Sequence, residues 1–402
     1  MKPTHFPHFI IFGLALLFGM QQLHAYNGPI SGPKVKKVSF SGDDYHELKS
    51  DDGETTFKAP HWTAAEGSTE SQKLPIAYTK GSTPKVKMEF KIDFEILEGQ
   101  TLDVKVKAEG TDDINFPEKT ITLEPGKSIY TYTEQASDGS WPNTIKYYPP
   151  TGAFTLTWKF NIMGTEYTDD TKNRAYVTAA TPTCSSFNET LFYYACHNPD
   201  GNAGTDGKAV THLIWNDFAT KSMARIDSSD GSLKQEKLLF KNPGGGVILK
   251  DGSGVCGAWA EFFRDVLRVH AYASEKVDID TIGMTLPDGV VHPDPYWLVN
   301  DQTISNASLT SNGSAVPGPD GINKGQGDGC SVTTWSGHSI AKAFGEMYDP
   351  AYGKGPCADE AAYEALALPG FRYEGPHWLT GVSVDKYIKK DASKRLNYKY
   401  IQ

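Results

Sequence analysis

The chain reads as an α+β protein in two parts, an all-β amino-terminal sandwich followed by an α+β domain, and three observations predict this. Between Tyr26 and about Ala180, apolar residues recur with a period of two and no helical period interrupts them. Helical spacing then appears over Lys208–Met223 and, most cleanly, in the stretch that begins at Cys256. Beyond that stretch the alternation returns in Ala271–Ile279, in Pro295–Asp301 and in the run from His338 to Asp349.

The first element is a leader. Lys2 precedes an apolar run from Phe9 to Met20, too short to span a bilayer, and Gln-Gln-Leu-His-Ala25 resembles a small-residue cleavage site. Residues 1–25 are therefore expected to be a signal peptide, with an uncleaved anchor as the alternative reading. The expected location is secreted, periplasmic or cell-surface, with no membrane span in the mature chain. Removing this segment, with its one lysine and no acid, takes the net charge from −10 to −11. With no long basic run anywhere, nucleic acid is not an expected partner.

Residues 26–180 form the predicted sandwich. Lys85–Ile92, Thr101–Lys107, Ser128–Tyr132 and Phe154–Phe160 alternate cleanly, and Lys34–Phe40 does so with a slip at Lys36-Lys37. Gly99-Gln100, Pro125-Gly126 and Asp138-Gly139 supply turns. Short half-buried strands with such punctuation suit an immunoglobulin-like β-sandwich. Residues 181–207 read as a connector, in which Glu189–Ala195 is either a strand or a helix start. The second domain, residues 208–402, opens with the helix over Lys208–Met223. Ser305–Gly329 is a long polar insertion.

In Gly252-Ser-Gly-Val-Cys256, small residues lead to a cysteine followed by apolar Trp259, Phe262, Phe263, Val266 and Leu267, one buried face of a helix. Cys256 thus opens a helix, where the dipole favours a thiolate and the flexible approach leaves it accessible. The chain has five cysteines. Cys184 with Cys196 and Cys330 with Cys357 flank short segments that disulfides would close in an oxidising compartment, and Cys256 is left over.

The run from His338 to Asp349 predicts a hairpin turning near Phe344-Gly345-Glu346. His338 and Asp349 then face each other across it, at most about one pair out of step. A cysteine at a helix start, a histidine on a strand and an aspartate on the next form a nucleophile, a base and an orienting acid. His292, in Val290-Val-His-Pro-Asp294, is the competing histidine and ranks second, because Pro293 suits a turn better than a strand.

Gly254-Val-Cys256-Gly-Ala-Trp259, the amphipathic helix ending at Leu267-Arg268, His338, and Tyr348-Asp349-Pro-Ala-Tyr-Gly353 together resemble the transglutaminase-like superfamily, a branch of the papain-like cysteine enzymes. The resemblance covers roughly Lys208 to Thr380. It implies a papain-type α+β domain in which Cys256 is the nucleophile, His338 the base and Asp349 the orienter. It also implies that the Cys256 backbone amide serves an oxyanion, and a protein or peptide substrate. Trp215, Trp259 and Trp335 are the candidate substrate-lining residues, with Asn216 beside the first. The activity implied is acyl transfer from, or hydrolysis of, peptide or protein amides through a thioester. Some members of the superfamily have lost catalysis, and a silent surface-binding module is the alternative.

No metal site is expected, because no histidine and carboxylate group has ligand spacing. No cofactor is expected either, since Gly244-Gly-Gly246 lacks the strand, lysine and helix of a phosphate loop. His270, at the end of the nucleophile helix, reads as a charge at a helix carboxyl terminus. Asn188, Asn306 and Asn312 match the glycosylation pattern, with no modification the expected outcome. Oligomeric state is not legible.

Overall fold

A computed structural model describes residues 26–27, 31–66, 72–137, 140–227, 229–241, 247–280, 284–285, 291–292, 296–298, 325–328, 334–335, 337–368, 370–376, 383–389 and 396–401. The leader, the Gly244–Gly246 loop, Cys330, and Asn306 and Asn312 lie outside them. The chain is mostly β-sheet with few helices, and it divides into two units.

The first unit comprises the described residues of Met1–Glu47, Phe57–Pro142 and Tyr148–Ala175. The strands of its two larger sheets are β1 (Lys34–Ser41), β2 (Trp62–Thr63), β3 (Gln72–Lys73), β4 (Lys85–Lys91), β5 (Leu102–Gly110), β6 (Asn115–Leu123), β7 (Ile129–Gln135), β8 (Phe154–Ile162) and β9 (Thr165–Asn173). They form two antiparallel sheets, in the orders β6-β5-β8-β9 and β7-β4-β1-β2-β3. Period-two alternation explains how each sheet buries one face: Phe154, Leu156, Trp158, Phe160 and Ile162 of β8 are all buried. Aromatic contacts join the inner faces, Phe90 of β4 against Phe160 at 5.1 Å between ring centres and Tyr132 of β7 against Trp158 at 5.7 Å. The slip at Lys36-Lys37 is a register shift between Val35 and Lys37.

The second unit is Leu48–Thr56, Asn143–Tyr147 and the described residues of Tyr176–Gln402. The predicted cut at residue 180 therefore needs correction, because two short segments from the amino-terminal half belong to this unit. Nor are residues 181–207 a connector. They contain helix α1 (Glu189–Cys196), most of it buried, whose capping Asn188 donates from Nδ2 to the Ser50 carbonyl at 2.7 Å. Asn188 is itself buried, which closes that glycosylation site in the folded chain.

Helices α2 (Gly207–Thr220), α3 (Ile248–Asp251), α4 (Cys256–Arg268) and α5 (Glu360–Ala367) accompany a five-stranded antiparallel sheet. Its strands are β10 (Ser274–Asp280), β11 (Gly337–Ala343), β12 (Glu346–Asp349), β13 (Lys354–Cys357) and β14 (Asn397–Ile401), in the order β13-β12-β11-β10-β14. The apolar stripe of α4, Trp259, Phe262, Phe263, Val266 and Leu267, is buried throughout. Phe263 meets Tyr348 of β12 at 5.1 Å and Trp215 of α2 at 5.4 Å between ring centres, so helix and sheet share one aromatic core.

The predicted Cys184–Cys196 disulfide is corrected by the structure, in which Cys184, Cys196, Cys256 and Cys357 are free thiols; the predicted bridge of Cys357 to Cys330 involves a residue that lies outside the described ones. Cys196 ends α1 fully buried with its thiol toward the Val177 carbonyl, whereas Cys184 lies near Asp265 and Arg268 at the far end of α4. Closeness in sequence does not bring these two thiols together, because α1 intervenes as a folded element.

Candidate active site

Three local devices set Cys256 at the start of α4. Gly252, at a φ of +72°, ends α3 in the left-handed region. Ser253-Gly254 then pairs in parallel with Leu239-Phe240, fixed by N–H groups of Leu239 and Lys241 that donate to Gly252 and Gly254 at 2.9 and 3.0 Å. Gly254 has no room for a side chain: a Cβ there would lie 2.5 Å from Ile248 Cγ1 and 2.9 Å from Ala258 Cβ. The first helical bond of α4 runs from Trp259 N–H to the Val255 carbonyl at 3.1 Å. The helix itself therefore leaves the amides of Cys256, Gly257 and Ala258 without acceptors, pointing out of its first turn.

The hairpin of β11 and β12 turns at Phe344 and Gly345, both at positive φ (49° and 81°), as a two-residue type I′ connection requires. Its register pairs Ala341 with Tyr348 and Ala343 with Glu346. Carried one step on, Asp349 stands opposite Ile340, two residues from His338 on the same face. The two side chains meet on the diagonal, His338 Nε2 at 2.9 Å from Asp349 Oδ2, with both residues buried. The other ring nitrogen, Nδ1, is left for Cys256, whose thiol bonds to His338 and accepts the Ser339 backbone N–H.

Electrostatics follow from this geometry. Burial alone would lower the pKa of His338, but the Asp349 charge, the Cys256 thiolate and the bonds to both outweigh it and push the pKa up to about 10. Burial alone would raise that of Cys256. The His338 charge, the bond to its ring and the Ser339 amide reverse this and lower it, with Asp349 opposing. Thiolate beside imidazolium is the favoured state, and such a pair attacks a carbonyl carbon.

Two residues outside the predicted triad complete the cluster. Asp349 is wholly buried; its Oδ1 accepts the Tyr352 N–H at 3.3 Å, and its Oδ2 accepts the hydroxyl of Tyr363, from α5, at 2.9 Å. Gln326, inside the predicted polar insertion, is fully buried and clamps the turn after Asp349. Its Nε2 donates to the carbonyls of Phe218 and Pro350 at 2.7 and 2.8 Å, and its backbone N–H to that of Ala351 at 2.9 Å. Tyr363 looks in sequence like any apolar position of a helix, and Gln326 like one more polar loop residue. Neither carries a sequence signal of its role.

Of the three candidate substrate-lining tryptophans, Trp215 and Trp259 are buried. Trp215 is buried against Phe218, Phe263 and Tyr348 and donates its indole N–H to the Gly355 carbonyl at 2.8 Å. Trp259 is wholly buried in the core of α4, which leaves it no face for a substrate. Asn216 is exposed on α2. Trp335 has its backbone paired with Trp297, and His292 its backbone paired with Met284; their side chains lie outside the described residues. His270 is not an exposed charge at a helix end. It is buried, with Nδ1 accepting from Ala179 N–H at 3.0 Å and Nε2 2.7 Å from the Ala195 carbonyl, a structural tie between segments.

Among the described residues, no group of three or more His, Cys, Asp or Glu side chains is arranged to hold a metal ion. Among the same residues no helix is long and apolar enough to cross a membrane. No protein-family model matches the chain, and no curated protein matches it in sequence.

Proposed function

We propose that this chain is a thiol enzyme with a Cys256–His338–Asp349 triad, acting on amide bonds of peptides or proteins through a thioester. On this reading the second unit is a transglutaminase-like domain of papain type, and the first an immunoglobulin-like sandwich that positions substrate or attaches the enzyme. What supports it above all is the buried 2.9 Å bond between His338 and Asp349, with the thiol of a helix-opening cysteine on the same ring.

The Cys256 thiolate attacks the amide carbonyl, and the developing oxyanion is met by the amide of Cys256 at the positive end of α4. His338, protonated in the resting pair, gives its proton to the departing amine as the carbon–nitrogen bond breaks. The thioester remains on Cys256. His338 then takes a proton from the incoming water or amine, which attacks the thioester and releases the thiolate. Asp349 stabilises the imidazolium and holds the ring so that one nitrogen faces the thiol throughout.

The test is labelling by a peptide carrying a thiol-directed electrophile at its carboxyl end, followed by a screen of amine acceptors. Wild-type protein should be labelled at Cys256, and His338→Ala should lose labelling with its fold intact. Equal labelling of wild type and His338→Ala would remove the basis of the reading.

A further inference from the structure

We propose that Tyr363 is a positioning residue of this site, acting through Asp349: its hydroxyl locks the carboxylate in line with His338 and thins the negative charge that the carboxylate presents to the ring. The inference rests on the triad reading above.

Asp349 is a wholly buried anion, and Tyr363 and His338 share one of its oxygens, Oδ2, while the Tyr352 amide takes the other. Donors on both oxygens fix the rotation of the carboxylate, which the hairpin alone does not. Tyr363 is itself held firmly. Its helix is capped by Asp359, whose carboxylate accepts from Ala362 N–H at 2.8 Å. The neighbouring Glu364, also buried, ties α5 to the last strand by accepting from Leu396 N–H at 3.3 Å and from the Tyr398 hydroxyl at 3.0 Å. Burial first, and then the Asp349 charge, keep the Tyr363 hydroxyl protonated far above the ordinary tyrosine range, so it remains a donor at every working pH.

A purely structural tyrosine would affect only stability. A positioning tyrosine also moves the pH window of the ion pair, and the sign follows from the charges. Asp349 favours the protonated form of both Cys256 and His338. A carboxylate relieved of the Tyr363 hydroxyl presents a fuller charge, so both limbs of the window move to higher pH. Two further titratable groups near Asp349 are held in one state. Cys357 on β13 is pushed up to about 11 by burial and by Asp349, Asp359 and Glu346. Glu346 on β12 is opposed by partial burial but held ionised by bonds from His212, Lys208 and Tyr348.

The experiment is the rate of Cys256 carbamidomethylation by iodoacetamide, read by mass spectrometry on the full chain across roughly pH 4 to 9, where a free thiol would titrate only at the upper end. In wild type the reaction should persist well below the range of a free thiol. In Tyr363→Phe the acid limb should move up by about half to one pH unit, and turnover on any amide substrate should fall about 10- to 100-fold, the scale of a lost bond to a charged group. If Tyr363→Phe does not fold, 3-fluorotyrosine at position 363 decides the matter: the stronger donor should move the limb down. A folded Phe variant with an unmoved profile, or a fluorotyrosine that leaves the limb in place, overturns the inference while the triad stands. A wild-type Cys256 that reacts as an ordinary thiol overturns the triad reading and this inference with it.

Discussion

At the scale of single residues, the proposed triad rests on one balance, the Asp349 charge against the burial of His338. With the His338 pKa up at about 10 and that of Cys256 lowered, the reactive pair exists between a lower limit set by the thiol and an upper limit where the imidazolium loses its proton. On the proposed function, turnover against pH is therefore expected to be bell-shaped, failing at low pH by protonation of sulfur and at high pH by deprotonation of the ring. Asp349→Asn fills the same space but neither stabilises the imidazolium nor selects its tautomer. In a serine triad that change costs about 10⁴ in turnover. Here a loss on the order of 10² to 10³ is expected, because a thiol needs less help than a hydroxyl to ionise. Alkylation of Cys256 at raised pH should survive the substitution. Full turnover with an unchanged profile would show Asp349 to be only a turn residue.

At the scale of elements, the start of α4 depends on a passage too narrow for any residue but glycine. In Gly254→Ala the new methyl group meets Ile248 and Ala258 well inside van der Waals contact, and the adjoining backbone is pinned by the pairing with Leu239-Phe240. One of these must give way. Overpacking of this kind costs about 1–3 kcal/mol, and the shift falls two residues from Cys256. Gly254→Ala is expected to lower the midpoint of denaturant unfolding and to slow Cys256 labelling at least tenfold, the effect of a small misplacement of a reacting group. Unimpaired labelling in a destabilised variant would separate packing from positioning.

For the whole molecule, two solution measurements test the architecture. The first concerns His61 in the first unit, buried with Nδ1 accepting the Phe40 N–H at 2.9 Å and Nε2 2.6 Å from the Tyr45 hydroxyl. Burial lowers its pKa from 6.5 to about 4, a depressed value for a base. The unfolded chain therefore binds the proton first as pH falls. The stability that neutral His61 contributes is complete above the unfolded value and is lost between about pH 6.5 and 4, on the order of 3 kcal/mol. Unfolding of this unit, followed by denaturant at several pH values, should steepen across that window, and His61→Gln should flatten it. The second is thiol titration in denaturant without reductant, in which Cys184, Cys196 and Cys357 should react alongside Cys256. Absence of Cys184 and Cys196 from the count would restore the predicted bridge between them.

The sequence by itself determined whatever is written in local periodicity. The alternating stretches of the amino-terminal half are strands, the stripe after Cys256 is a buried helix face, and Phe344-Gly345 is a hairpin turn, because each depends on neighbours a few residues away. The same locality made Cys256, His338 and Asp349 legible as candidates, since two sit on one hairpin and the third opens a helix. It failed wherever a role depends on distant segments. Proximity in sequence suggested Cys184–Cys196, but the folding of α1 separates them. Trp215 and Trp259 look like groove residues beside a nucleophile, yet the packing of α2 and α4 on the sheet turns both inward. Leu48–Thr56 is counted with the unit that begins again at Tyr176, which no local pattern announces. Tyr363 and Gln326 acquire their partners only when α5 and the segment at Gln326 close around the Asp349 turn, through hydrogen bonds spanning 14 and 24 residues. A hydrogen bond acts over about 3 Å and is indifferent to sequence separation, so only tertiary structure decides which buried polar groups complete a site.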